Sequence, residues 1–152
     1  MAKITLIFAS MSGNTEMMAQ AIAKGVKEMG EQIEVIDVFD GPDVIDLESV
    51  DGILLGAYTW GDGELPDDFL DFYDEMDSIQ LIGKKAAVFG SCDSAYPEFG
   101  AAVDILIKKL KERGAEVFSK ELKIELTPGV KEIEECRTFG KKFVTFLKTP
   151  SM

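Results

Sequence analysis

Histidine is absent from this 152-residue chain. That absence removes the side chain most used for acid–base catalysis near neutral pH and the commonest zinc ligand. Cysteine is scarce as well. Cys92 and Cys136 give neither a disulfide framework nor the paired spacing of a metal site. No apolar run reaches the roughly 18 residues needed to span a membrane. Met1-Ala2-Lys3-Ile4 leads straight into strand-like sequence without the layout of a signal peptide, so the expected location is the cytoplasm. Positive charge is missing from a long central stretch: from Glu28 to Gly83 there are 17 Asp or Glu and no Lys or Arg. With a net charge of −12, the chain is a poor candidate for nucleic acid, which requires a basic patch. The acidic stretch reads either as a solvated face that maintains solubility or as a docking face for a basic protein partner.

What is present is a regular alternation. The length suits one domain, residues 1–152, with a real core. Apolar segments at Lys3–Ala9, Gln32–Val38, Gly52–Tyr58, Lys85–Ser91 and Glu116–Ile124 predict five strands. The first, third and fourth are continuous apolar runs, as expected of strands buried on both faces. The last alternates, which suits an edge. Between them lie stripes at helical spacing: Met18, Ile22, Val26 and Met29; Phe69, Phe72, Tyr73 and Met76; Val103, Leu106, Ile107 and Leu110; Ile133, Cys136, Gly140, Phe143 and Leu147. Pro66 with Asp67 and Asp68 suits a helix start, and Gly114 suits a helix end. Pro42–Ser49 reads as a weak helix or turn. Alternation of this kind predicts an α/β fold, a parallel sheet with helices on both faces joined by right-handed crossovers. In such sheets ligands bind beyond the carboxyl ends of the strands. The segments after strands one, three and four should therefore meet.

The first of these is Ser10-Met11-Ser12-Gly13-Asn14-Thr15, between a strand and a helix start. Such a turn aims backbone N–H groups and the helix dipole at one point, which suits a phosphate. It holds no Lys or Arg, unlike a nucleotide-hydrolysing loop, and so fits a terminal monoester phosphate held by neutral donors. The second is Thr59-Trp60-Gly61-Asp62-Gly63-Glu64. A Trp at the mouth of the expected site suggests stacking on a flat ligand, although the loop alone reads equally as a plain turn whose Trp packs on the protein. The third, Ser91–Gly100, adds Tyr96. Two aromatic loops beside a phosphate turn describe a planar heteroaromatic ring with a phosphate tail.

On SMSGNT after strand one, TWGDG after strand three and SCDSAYPEFGAAVD after strand four, the chain resembles the flavodoxins along essentially its whole length. Strand five runs on without the long insertion of the long-chain group, so the resemblance is to the short-chain group. It implies a three-layer sandwich with sheet order 2-1-3-4-5, bound FMN and one-electron transfer. By matching position, Ser10, Ser12, Gly13, Asn14 and Thr15 would hold the FMN phosphate, with Met11 contributing its backbone N–H. Trp60 would cover one face of the flavin ring and Tyr96 the other. Thr59, Trp60, Gly61, Asp62, Ser91, Cys92 and Asp93 would line its edges, largely through backbone, with Tyr58, Phe99 and Gly100 beside them. Met11 departs from the small hydroxyl residue common there, and Pro97 holds Tyr96 in extended geometry. A Gly at the position of Gly61 turns its peptide when the flavin takes up one electron, a motion that the absence of a Cβ makes cheap. Partners implied are redox proteins with basic docking faces: a ferredoxin- or flavodoxin-type NADP reductase, and a P450, desaturase or similar acceptor. A shuttle of this kind is expected to be a monomer.

Other readings of the same fold fare worse. A low-molecular-weight phosphatase needs a nucleophilic Cys in the first loop, and a response-regulator receiver needs acids after strand one and an Asp where Thr59 stands. Cys136 sits on an apolar stripe and reads as core. An NAD(P)H-dependent FMN or quinone reductase would need room for a second substrate on the flavin, which Trp60 and Tyr96 would block. A non-redox interaction module would bind no FMN.

Overall fold

The computed structural model describes residues 2–10, 13–58, 65–92, 101–118, 122–125 and 128–149. In chain order the elements are β1 (Lys3–Phe8), α1 (Asn14–Glu28), β2 (Gln32–Asp37), β3 (Gly52–Tyr58), α2 (Asp67–Glu75), β4 (Lys85–Cys92), α3 (Ala101–Glu112), β5 (Glu116–Val117), β6 (Leu122–Glu125) and α4 (Val130–Lys148). Pairing is parallel throughout in the order β2-β1-β3-β4-β5, and β6 also pairs with β4. This is the doubly wound sheet, order 2-1-3-4-5, that the resemblance implies.

The continuous apolar runs are buried on both faces because successive side chains point to opposite sides of the sheet. From β1, Ile4, Leu6 and Phe8 pack with α1 and α4 residues Met18, Ile22, Val26, Cys136, Phe143 and Val144. From β3, Ile53, Leu55 and Ala57 pack on the other face with Phe69, Phe72, Val103, Leu106 and Leu110 of α2 and α3. Phe89 of β4 joins the α1–α4 side and Val88 the α2–α3 side. Gly56, paired with Phe89 across β3 and β4, is the space that the ring fills: a Cβ on Gly56 would lie 2.2 Å from it.

Five expectations need correction. The first strand ends at Phe8, although Ala9 still donates to the Gly56 carbonyl at 2.9 Å. The second ends at Asp37, because the Asp37 carboxylate accepts from the Phe39 N–H and starts a short 3-10 turn at Val38–Asp40. The fourth extends one residue, to Cys92. The fifth is two pieces, not one. Its register against β4 is offset by 31 at Glu116↔Lys85 and by 33 at Leu122↔Phe89. The two-residue surplus is even, so the side chains keep their faces. Met29 is not on the buried stripe. The helix stops at Glu28, Gly30 takes a positive φ of 85°, and Met29 is left 40% exposed. Pro42–Ser49 does contain a 3-10 turn, Val44–Ser49. The α2 start at Pro66 and the α3 stop at Gly114 (φ 97°) stand as expected. Cys136 is fully buried, and burial pushes its thiol up to about 12, which makes it an inert core residue. Among the described residues no helix is long and apolar enough to cross a membrane.

Candidate functional site

The carboxyl ends of β1, β3 and β4 lie side by side. Phe8 pairs with Gly56, and Tyr58 pairs with Ser91. The chain leaves β1 at Ser10 and enters α1 through Gly13, which has φ 89° and ψ −6°. That left-handed conformation is closed to most residues with a side chain, and a Cβ at Gly13 would face open space. Strain and not crowding therefore selects glycine here.

Ser10 shapes the turn. Its Oγ accepts from the Gly13 N–H at 3.1 Å and from the Glu16 N–H at 3.4 Å. Gly13 has no side chain with which to cap the helix, so a hydroxyl three residues earlier does it. With both acceptor positions in use, the Ser10 proton is left to donate. The N–H groups of Asn14 and Thr15, in the first turn of α1, have no partner within the helix. The result is a cluster of neutral donors at the positive end of a 15-residue helix. This chemistry fits a phosphate.

Thr15 and Ser91 meet. Thr15 Oγ1 and Ser91 Oγ are 2.8 Å apart, and both residues are buried, at 1% and 6% exposure. The first and third predicted segments are thus brought together at their roots. Ser91 was expected to act at the ring edge through its backbone. Its hydroxyl partner was readable only in part: Ser91 shares strand parity with Phe89, which places it on the α1 side. Of the other predicted residues, Ser10, Gly13, Asn14 and Tyr58 are half-buried around the same sheet end. Met11, Ser12, Thr59, Trp60, Gly61, Asp62, Asp93, Tyr96, Phe99 and Gly100 lie outside the described residues, and Cys92 is described in its main chain only.

Three acids of the 28–83 stretch find basic partners outside it. Within 28–83, Glu28 pairs with Arg137, Glu31 with Lys148 and Asp77 with Lys109. These contacts hold all three carboxyls below the usual range, the hydrogen bond from the basic partner being the main cause in each. Among the described residues Asp37, Asp40, Asp43, Asp67, Asp71, Asp74 and Glu75 form no ion pair, and all but the half-buried Asp37 are exposed. Asp37 and Asp67 stand next to the carboxyl end of the sheet, at the end of β2 and the start of α2.

A doubly wound α/β domain with a phosphate-ready helix start after its first strand belongs to the class that binds a phosphorylated cofactor at the carboxyl end of the sheet. The family model described as Flavodoxin matches residues 6–140. A probable flavodoxin 2 of Bacillus subtilis is 46% identical over 143 residues, covering 94% of this chain and 95% of that protein. The crystal structure of oxidised flavodoxin 1 from Bacillus cereus superposes with a TM-score of 0.92 at 64% identity, covering 95% of this chain and 98% of that one. A short-chain flavodoxin associated with a bacterial microcompartment gives a TM-score of 0.90 at 30% identity, covering 97% and 100%. The chain belongs to the flavodoxin family: non-enzymatic electron carriers that bind FMN.

Proposed function

We propose that this flavodoxin is a low-potential, one-electron carrier of the cytoplasm, a single domain over residues 1–152 that docks redox proteins through their basic faces. On one side stands a ferredoxin- or flavodoxin-type NADP reductase, on the other a P450, desaturase or similar acceptor. The observation that carries this reading is the group of unpaired acids in the 28–83 stretch, of which Asp37 and Asp67 stand next to the carboxyl end of the sheet, together with a phosphate turn without a cation. Nothing in Ser10–Thr15 neutralises the phosphate, so the charge of the cofactor adds to that of the neighbouring acids.

Bound FMN supplies the one-electron chemistry. The residues proposed to hold its phosphate are Ser10, Met11, Ser12, Gly13, Asn14 and Thr15. Trp60 and Tyr96 would enclose the ring and exclude water and a second substrate from its faces. Gly61 would offer its carbonyl to the ring edge. This enclosure favours a carrier over an NAD(P)H-dependent FMN or quinone reductase, because a hydride donor must lie flat against the flavin.

NADPH added alone to the FMN-loaded protein under argon is expected to leave the yellow absorbance intact. Adding a catalytic amount of an NADP reductase is expected to bleach it. Rapid bleaching by NADPH alone would make the protein an enzyme.

The potential gives a second test. A carboxylate about 10 Å from a group that gains negative charge opposes the gain by roughly 1.7 kcal/mol at an effective dielectric of 20, or about 70 mV for one electron. Salt near 1 M shortens the screening length to about 3 Å and removes most of that term. The potential for the second electron is therefore expected to rise by tens of millivolts between low and high salt. A potential that ignores salt would remove the acidic surface from the account.

A further inference from the structure

We infer that Ser91 is a positioning residue for phosphate binding: its buried hydroxyl donates to Thr15 and so directs the Thr15 proton toward the anion at the start of α1. The inference rests on the FMN reading of the site.

The geometry is a single short contact between residues 76 apart in sequence, Thr15 Oγ1 to Ser91 Oγ at 2.8 Å. Thr15 lies in the first turn of α1, and Ser91 near the end of β4. Each hydroxyl has one proton and two acceptor positions. The shared bond consumes one proton, and either oxygen can supply it. If Thr15 donates to Ser91, it presents only lone pairs to a phosphate oxygen, which repels them. The buried Ser91 proton must then find an acceptor elsewhere. If Ser91 donates to Thr15, both protons are used, one inside the pair and one on the phosphate. An anion at the helix start therefore selects the second arrangement. The bond from Ser91 polarises the Thr15 O–H and strengthens its outward, charge-assisted bond. The effect matters in this loop because Ser10–Thr15 contains no Lys or Arg, and each neutral donor carries a larger share of the anion.

Riboflavin is FMN without the phosphate, so it separates this role from a general one in packing or ring contact. The apo-protein would be titrated with FMN and with riboflavin, reading flavin fluorescence, for wild type, Ser91→Ala, Thr15→Val and the double variant. Ser91→Ala is expected to weaken FMN about tenfold and riboflavin less than about twofold. In the Thr15→Val background, adding Ser91→Ala is expected to cost FMN less than about twofold, because the proton it directs is already gone. Ser91→Thr, which keeps the hydroxyl, is expected to recover most of the loss. Thermal unfolding of each apo-variant checks folding, and any loss of folded protein cancels in the FMN-to-riboflavin ratio. Equal losses for the two flavins would overturn the inference while leaving the FMN reading intact, as would a tenfold loss that persists in the Thr15→Val background. A wild-type apo-protein that takes up neither flavin would overturn both.

Discussion

Gly25→Ala is expected to destabilise the protein by about 3 kcal/mol, and Gly140→Ala by a similar amount, the upper end for overpacking. Intrinsic helix propensity predicts the opposite sign, a gain of about 1 kcal/mol for each. Both glycines lie inside helices, Gly25 in α1 and Gly140 in α4. A Cβ on Gly25 would stand 2.0 Å from the Arg137 carbonyl oxygen and 2.9 Å from its carbon. A Cβ on Gly140 would stand 2.2 Å from the Ile22 carbonyl oxygen and 3.0 Å from its carbon. The obstacles are backbone, so no side-chain rotation relieves them. The two helices must separate by about an ångström or more, and the cluster of Met18, Ile22, Val26, Cys136 and Phe143 beneath them loosens. At 152 residues, about 3 kcal/mol corresponds to a drop of roughly 6–12 °C in Tm. Both positions mark one close approach, so the double variant is expected to lose less than the sum: the first substitution has already opened the gap that the second needs. A higher Tm in either single variant would show that propensity outweighs the contact. Because α1 carries Thr15, a displaced helix also pulls it from Ser91, and FMN affinity is expected to fall with stability.

Glycine at these two positions is visible in the sequence, and Gly140 falls on the apolar stripe of its helix. Its reason was not visible, because the obstacle belongs to another helix. The same division runs through the molecule. Strand alternation is local, and β3 follows Gly52–Tyr58 residue for residue. The split of the last strand into β5 and β6 leaves no mark on the sequence, because the even offset of two residues preserves the alternating pattern. Met29 fits its stripe by spacing, but the positive φ at Gly30 ends the helix before the spacing can act. At the site, the turn chemistry of Ser10–Thr15 was legible as residue types. The Ser10 oxygen that caps α1 and the Thr15–Ser91 pair are tertiary facts. Each depends on where β1 delivers the chain and on which face of β4 meets α1.

Lys85→Met is expected to destabilise the apo-protein by about 2 kcal/mol, roughly 4–8 °C in Tm, while leaving FMN affinity unchanged. Lys85 opens β4 and is only 5% exposed. Its Nζ donates to the Phe146 carbonyl at 2.8 Å, to the Thr149 carbonyl and to Thr149 Oγ1 at 3.2 Å, and it lies 4.9 Å from the centre of the Phe146 ring. These acceptors are the end of α4, where the last carbonyls have no partner in the helix and the dipole is negative. The ammonium supplies both the hydrogen bonds and the charge that this end requires. Methionine keeps most of the stem volume and removes the cost of burying a cation, which offsets part of the loss. The carbonyls keep only what water can reach. Lys85 and Ser91 are six residues apart on one strand, about 20 Å at strand spacing, so the helix end and the phosphate turn are independent. Ser91→Ala and Lys85→Met should therefore act as opposites. The first lowers FMN affinity, with a melting loss limited to one buried hydrogen bond, and the second lowers melting with no change in affinity. Melting that is unchanged in Lys85→Met would mean that α4 ends as well in water as on the lysine. A drop in FMN affinity in that variant would mean that the two ends of β4 are coupled through the sheet.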